Sequence, residues 1–127
     1  MKLYMGGAYQ GQLEWALEEN GLTPEDVFQC TRTTRQIDWS KPVITDIQLL
    51  FWAQTEAGID SLADLERHWP ALQDKIITLE DISAGIVPID PLQRAWRETT
   101  GRCGVFLARR ADRVVRLFCG LGTVLKP

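Results

Sequence analysis

The chain has 127 residues, 45% of them hydrophobic and 24% charged, and a formal net charge of −3. That length and mix predict one globular domain over residues 1–127 with a core of its own. The charge excludes a global basic field for nucleic acid or anionic membrane, and no apolar run approaches the ~20 residues that span a bilayer.

Residues 2–5, "KLYM", read as a short strand, and a glycine-bearing stretch, "GGAYQGQL", follows it. The segment from Gly11 to Asn20 reads as a helix, with Leu13, Ala16 and Leu17 on one face and Gly21 as its stop. Thr23 to Asp26 reads as a turn or a single helical turn, and Val27 to Cys30 as a second strand. Residues 31–42 are polar and predict a loop. Val43 to Ile47 reads as a buried strand carrying Asp46 at its end, and Leu49 to Ala57 as a helix stopped at Gly58. Ser61 and Asp64 have the spacing of a capping box. Leu62, Leu65, Trp69 and Leu72 follow at helical spacing, with Pro70 placed to end or kink that helix. Lys75 to Leu79 is a further strand. Asp90 followed by Pro91 is a helix start, and Leu92, Ala95, Trp96, Cys103, Phe106 and Leu107 line one face of a long helix after it. Arg113 to Cys119 reads as a strand, Gly120 to Gly122 as a turn, and Thr123 to Lys126 as a last strand.

Strands alternating with helices predict an α/β domain with a mostly parallel sheet. Such sheets bind ligands at the carboxyl ends of their strands. The stretch from Gly6 to Gln12, Asp46, and the loop from Glu80 to Pro88 all fall there. Gly6 and Gly11 are spaced as in a phosphate-binding loop, whose amides cradle phosphate at a helix N-terminus. Such a loop then needs Lys for the outer phosphates and Ser or Thr for Mg2+. Gln12 and Leu13 stand there instead. Gln12 donates hydrogen bonds without charge, and Leu13 cannot hold Mg2+. From residues alone, the stretch is a phosphate loop, its remnant or a glycine-rich turn.

Asp46 is either a Mg2+-organising carboxylate or a helix N-cap. Glu80 and Asp81 are either an acid/base pair or solvated loop carboxylates. Arg94, Arg97 and Arg102 are either phosphate contacts or a solvated helix face. Among the tryptophans, Trp39 in the polar loop is the one placed to cover a ligand. The single histidine, His68, reads as a surface or capping residue. Cys30, Cys103 and Cys119 form no CxxC and read as reduced, with Cys acting as a small apolar side chain. No His/Cys set has the spacing of a metal site. The N-terminus has one Lys and no apolar h-region, which predicts no secretory signal and a cytoplasmic location.

Residues 85–122 carry a family pattern: Gly85-Ile86-Val87-Pro88, Leu92, Trp96-Arg97-Glu98, Gly101-Arg102, Ala111-Asp112 and the strand from Val114 to Gly120. This stretch resembles the bifunctional adenosylcobinamide kinase / adenosylcobinamide-phosphate guanylyltransferase family of cobalamin biosynthesis. Gly6, Gly7, Ala8 and Gly11 match that family's phosphate loop, which typically reads Gly-Gly-Ala-Arg-Ser-Gly-Lys-Ser. Asp46 falls in the place of an acidic residue on the second nucleotide-site strand, and Asp81 near the acidic residue before Gly-Ile-Val-Pro.

The resemblance implies a P-loop, RecA-like, three-layer fold and an oligomer. It also implies GTP or ATP and cobinamide as ligands, and a kinase followed by GMP transfer through a covalent histidine. The departures all fall on that chemistry. The loop lacks its Lys and Ser, residues 22–45 contain no His, Gly104 replaces an Asn, and the chain is shorter than the family's. Together these imply a degenerate paralogue that keeps the scaffold. Its candidate nucleotide-binding residues are Gly6, Gly7, Ala8, Gly11 and Gln12; Asp46 and Asp81 are the acidic candidates, and Arg97 and Arg102 the phosphate contacts. The expected roles are nucleotide or corrinoid binding, regulation, or pairing with itself or with a full-length paralogue. The alternative is an active enzyme with a rebuilt site, Arg97 or Arg102 replacing the Lys.

Overall fold

A computed structural model describes residues 1–83, 85 and 88–127. Ala84, Ile86 and Val87, which carry part of the family pattern and of the loop ending at Pro88, lie outside the described residues. The elements in chain order are β1 (Lys2–Gly6), α1 (Gln12–Asn20), a 3-10 turn (Pro24–Asp26), β2 (Val27–Gln29), β3 (Val43–Thr45), α2 (Ile47–Glu56), α3 (Ser61–Arg67), α4 (Trp69–Leu72), β4 (Ile76–Glu80), α5 (Pro91–Arg110), β5 (Arg113–Phe118) and β6 (Leu121–Lys126).

The six strands form one sheet in the order β2-β3-β4-β1-β5-β6. Every pairing is parallel except β5 with β6, which is antiparallel. The parallel α/β arrangement expected from the alternation of elements is therefore present. β1 lies between β4 and β5, with Lys2 opposite Ile76 on one side and Arg113 on the other.

Alternating side chains along each strand feed two cores, because successive residues point to opposite faces. Leu3, Ile44, Ile77 and Val114 face Phe51 of α2, Leu65 of α3 and Leu107 of α5. Tyr4, Val43, Ile76, Val115 and Leu117 face Ala16, Leu13 and Leu17 of α1. Thus α1 alone covers one face and the other four helices cover the opposite one, giving three layers.

Tyr4 is fully buried and its phenol needs partners there. The hydroxyl donates to Glu19 Oε1 at 2.7 Å and accepts from Asn20 Nδ2 at 2.9 Å. Arg113 Nε donates to the same carboxylate at 2.6 Å. The Arg113 guanidinium foremost, with Tyr4 and Trp15 adding hydrogen bonds, lowers the Glu19 carboxyl from its ordinary 4.5 to about 2. A folded-state pKa below the unfolded one contributes stability above pH 4.5 that is lost as the pH falls toward 2. The Glu19 side chain is 27% exposed, so the contribution is about 1 kcal/mol after solvent screening. Urea unfolding of Glu19→Gln is expected to show a correspondingly shallower loss of stability across that acid window. A wild-type slope retained by the variant would refute the assignment.

Four boundaries differ from the sequence expectation. β3 stops at Thr45 and α2 starts at Ile47, because Asp46 turns the chain in one residue with φ 56. The capping residue of α3 is Asp60, whose carboxylate accepts from Ala63 N at 3.1 Å. Ser61 is instead the first helical residue and is buried, so the expected Ser61–Asp64 box is not formed. The Leu62–Leu72 helix divides at His68, one residue before the Trp69-Pro70 start of α4. Finally, β6 begins at Leu121, because Cys119 (φ 52) and Gly120 (φ 75) complete a two-residue hairpin turn.

Candidate functional site

The carboxyl ends of β1, β3 and β4 bring the 7–11 loop, Asp46, Glu80 and Asp81 to one edge of the sheet. The loop leaves β1 at Gly6 and enters α1 through Gly11, which takes the left-handed conformation with φ 89. Tyr9 also has positive φ and is fully exposed at the loop tip. Gln12, the first residue of α1, folds back so that its Nε2 donates to Gly7 O at 2.9 Å. Among the described residues, the amides of residues 12–14 have no acceptor and the helix has no side-chain cap. The loop therefore presents open amides at a helix N-terminus, with a neutral amide side chain lying across it.

A second glutamine holds the loop from outside. Gln10 Nε2 donates to Ala8 O at 3.0 Å, and Gln10 O accepts from Gly120 N at 3.2 Å. Gln10 Oε1 accepts from Cys119 N. The β5–β6 turn is thus latched onto the loop. Nothing in the local sequence around Gln10 signals this, because its partners lie more than a hundred positions away.

Asp46 follows β3 and occupies the N-cap position of α2, yet its side chain caps nothing. Its carboxylate accepts from Gln29 Nε2 at 2.9 Å and from Gln48 Nε2 at 3.3 Å. Its backbone N–H donates to Thr78 Oγ1 at 2.9 Å, and Thr78 pairs with Thr45 through their hydroxyls at 2.6 Å. A non-glycine residue at positive φ stores strain, which surrounding bonds must hold. Here the hydroxyl of Thr78 and the two glutamines do so. The helix-cap alternative for Asp46 is therefore corrected: its carboxylate is aimed across the strand ends toward β2 and α2.

Gln48 is the organiser that sequence reading missed. It is 2% exposed and bridges three elements. Its Nε2 reaches Asp46, its Oε1 accepts from Glu80 N at 2.9 Å, and its backbone carbonyl accepts from Trp96 Nε1 at 2.7 Å. Burial first, and then the Asp46 carboxylate, raise the Glu80 pKa. Glu80 is thus held toward its protonated form at this edge. Burial, aided by Asp46, pushes the Cys30 thiol up to about 12, so Cys30 is an inert core thiol.

Asp81 is exposed and held locally. Its Oδ1 accepts from Ser83 N at 2.8 Å and from Ser83 Oγ at 2.5 Å. Its own amide donates to Gly6 O at 2.7 Å, which ties the β4 exit to the β1 exit. Arg97 of α5 donates to the carbonyls of Ser83 and Gly85, so it braces the loop that follows β4. Arg102 points elsewhere and pairs with Glu98 at 2.5 Å on the exposed side of α5. Asp46, Glu80 and Asp81 are brought to one edge with the glycine loop; Arg97 is brought beside Asp81 through Ser83; Arg102 is not.

Among the described residues, no group of three or more His, Cys, Asp or Glu side chains is arranged to hold a metal ion. At the Mg2+ position that the resemblance implies, Leu13 offers no oxygen, so the donor set is incomplete there, while the Asp46 carboxylate is held by two glutamine amides. No described helix is long and apolar enough to cross a membrane.

A search for relatives among curated proteins gives no match. The family model described as "Cobinamide kinase / cobinamide phosphate guanyltransferase" matches residues 43–125, from β3 into β6, and stops short of the 7–11 loop. That match spans about two thirds of the 127 residues, and the parallel three-layer sheet is of the P-loop NTPase kind. The chain belongs to the cobinamide kinase / cobinamide phosphate guanyltransferase family of cobalamin biosynthesis.

Proposed function

We propose that this chain is a non-catalytic member of the family that binds a nucleotide or a corrinoid and acts through binding, as a regulatory paralogue. The observation that carries this reading is the Gln12–Gly7 bond. In a phosphate-binding loop, the side chain folded back across the glycines is a lysine that offsets charge developing on the transferred phosphate. Here it is an uncharged amide. Leu13 supports the same reading, since the next position gives no ligand for Mg2+. So does the 31–42 segment between β2 and β3, which holds no histidine for a covalent nucleotide.

What remains is an amide cradle suited to an anion, with Gly6, Gly7, Ala8, Gly11 and Gln12 as its residues and Asp46 and Asp81 at its rim. Arg97 braces the rim at Asp81. Arg102, committed to Glu98, offers no replacement for the missing lysine. Self-association or pairing with a full-length paralogue accompanies this reading as the route by which binding becomes regulation.

Calorimetry with GTP, ATP and adenosylcobinamide tests it. Weak binding that does not respond to Mg2+ is expected, with no phosphorylated or guanylylated product by mass spectrometry. Catalytic turnover by the purified chain would overturn the reading.

A further inference from the structure

The sheet face that carries α5 is open beyond that helix. β5 returns to β6 through a two-residue turn, so no crossover helix is laid over these two strands. On the opposite face α1 does cover them: a Cβ on Gly122 of β6 would stand 2.6 Å from the Trp15 ring. On the α5 face, Phe118 and Leu121 form a cross-strand pair and are 66% and 72% exposed, and Leu125 is 58% exposed. Val105, on the flank of α5, is exposed as well. Val105 and Ala108 form one side of a hollow of about 560 Å3, Met5 and Val114 its floor and Leu125 its far side.

This strip has the dimensions of one helix. Strands lie ~4.8 Å apart, so β5 and β6 extend the sheet ~10 Å past β1, the spacing at which a second helix packs alongside the first. Six residues of strand run ~20 Å, the length of about 13 helical residues. The strip also carries unused cations. Arg116 stands beside Met5 in the ladder and shares its face, and Arg109 lines the hollow. Both are exposed and make no side-chain hydrogen bond or ion pair with the described residues. Lys126, by contrast, is engaged: its Nζ donates to the carbonyls of Ala108, Arg109 and Ala111 at 3.1, 3.0 and 2.7 Å. A complementary occupant is apolar on one side and negatively charged at its flank.

We propose that this strip docks an acidic amphipathic helix of a partner protein, its apolar stripe on Val105, Phe118, Leu121 and Leu125 and its carboxylates on Arg109 and Arg116. Exposed contiguous apolar surface marks interaction sites, and a helix laid in such a groove is a recurring mode of recognition. A second copy of this chain does not supply the helix. Its acidic helix is α1, whose Leu13, Ala16 and Leu17 are buried in their own core and whose Glu19 is held by Arg113. Two copies meeting strip to strip would set arginine against arginine. The proposal goes beyond the reading of the glycine loop and needs no ligand there, although Phe118 and Leu121 flank the turn latched to Gln10.

The probe is a designed helical peptide of about 14 residues, a leucine stripe flanked by glutamates, titrated into the isotope-labelled chain and followed by two-dimensional NMR. A lysine-flanked counterpart and a version with serine in place of leucine are the controls. The glutamate peptide is expected to saturate, shifting the amides of residues 105–109, 116–118 and 121–125, and both controls to bind several-fold more weakly. Leu125→Asp is expected to weaken the glutamate peptide about tenfold. Arg116→Glu is expected to weaken it several-fold and to tighten the lysine peptide, a reversal that a merely structural change would not produce. Both variants alter exposed side chains and are expected to leave the melting temperature within a few degrees. Overturning results are no saturation at millimolar peptide, shifts centred elsewhere, or equal affinity for the two charged peptides whatever stands at 116. So are shifts of the same residues that follow protein concentration alone, which would make the occupant a second copy, and binding of phosphatidylserine vesicles through this strip with the peptide left unbound.

Discussion

Replacing Gln12 by Lys and Leu13 by Ser together is expected to tighten GTP binding by roughly 10- to 100-fold, the worth of one charge-assisted hydrogen bond. The geometry favours this outcome. The Gln12 side chain already reaches back to Gly7 O at 2.9 Å, so a lysine there spans the same loop with one more bond of reach. Serine at 13 adds a hydroxyl where Mg2+ binds in intact loops. The gain should therefore grow when Mg2+ is present, which calorimetry in magnesium and in chelator would reveal. Leu13 is partly buried against the Tyr4–Val115 core, so the variant loses about 1–2 kcal/mol of stability. A tighter complex from a less stable protein is the expected signature. Unchanged affinity in both media would mean that the latch at Gln10, rather than the missing side chains, keeps phosphate out.

Gly6→Ala carries the largest expected effect on the fold. A Cβ at Gly6 would stand 2.6 Å from Leu117 O on β5. That oxygen is backbone in the central part of the sheet, where Gly6 lies opposite Leu117 in the parallel ladder. It cannot retreat without opening the β1–β5 pairing. The Gln12 amide, tied to Gly7 O, would also stand 3.3 Å from the added methyl. Overpacking of this kind destabilises by about 3 kcal/mol, or roughly 10 °C in melting temperature for a domain of this size. Thermal unfolding followed by circular dichroism measures it directly. A melting temperature equal to that of the native chain would show that β1 and β5 can separate at no cost. Gly7→Ala is the internal control, since its Cβ would meet only Gln10 Cγ at 3.7 Å.

Much of this architecture could be read from local signals. Asp90-Pro91 starts α5 because the carboxylate accepts from Leu92 N at 2.9 Å and proline needs no amide partner there. Gly21 ends α1 because it adopts φ 65. The apolar runs at 43–45 and 76–79 are strands because they are buried on both faces. What could not be read depends on distant partners. Asp46 has the sequence context of a helix cap, and only Gln29, Gln48 and Thr78 turn its carboxylate away from the helix. Gln48 looks like an ordinary helical residue until Glu80 and Trp96 are placed around it. Trp39 stands out in the sequence as an aromatic in a polar loop; its stacking on His68, 29 positions later, is a tertiary fact. The glycine loop was legible as a loop, while its bond to the β5–β6 turn was not.

The position of β1 has a consequence for how the molecule assembles. It precedes both of its neighbours, which come late, at Ile76 and at Arg113. Pairings so remote in sequence are slow, because loop-closure entropy must be met before any contact rewards it. During synthesis, the apolar segment Leu3–Met5 therefore waits about seventy residues for β4 on one edge and about a hundred and ten for β5 on the other. The same delay reaches the glycine loop, whose latch partners Cys119 and Gly120 follow β5. The latched shape of the loop therefore cannot form before the β5–β6 turn exists.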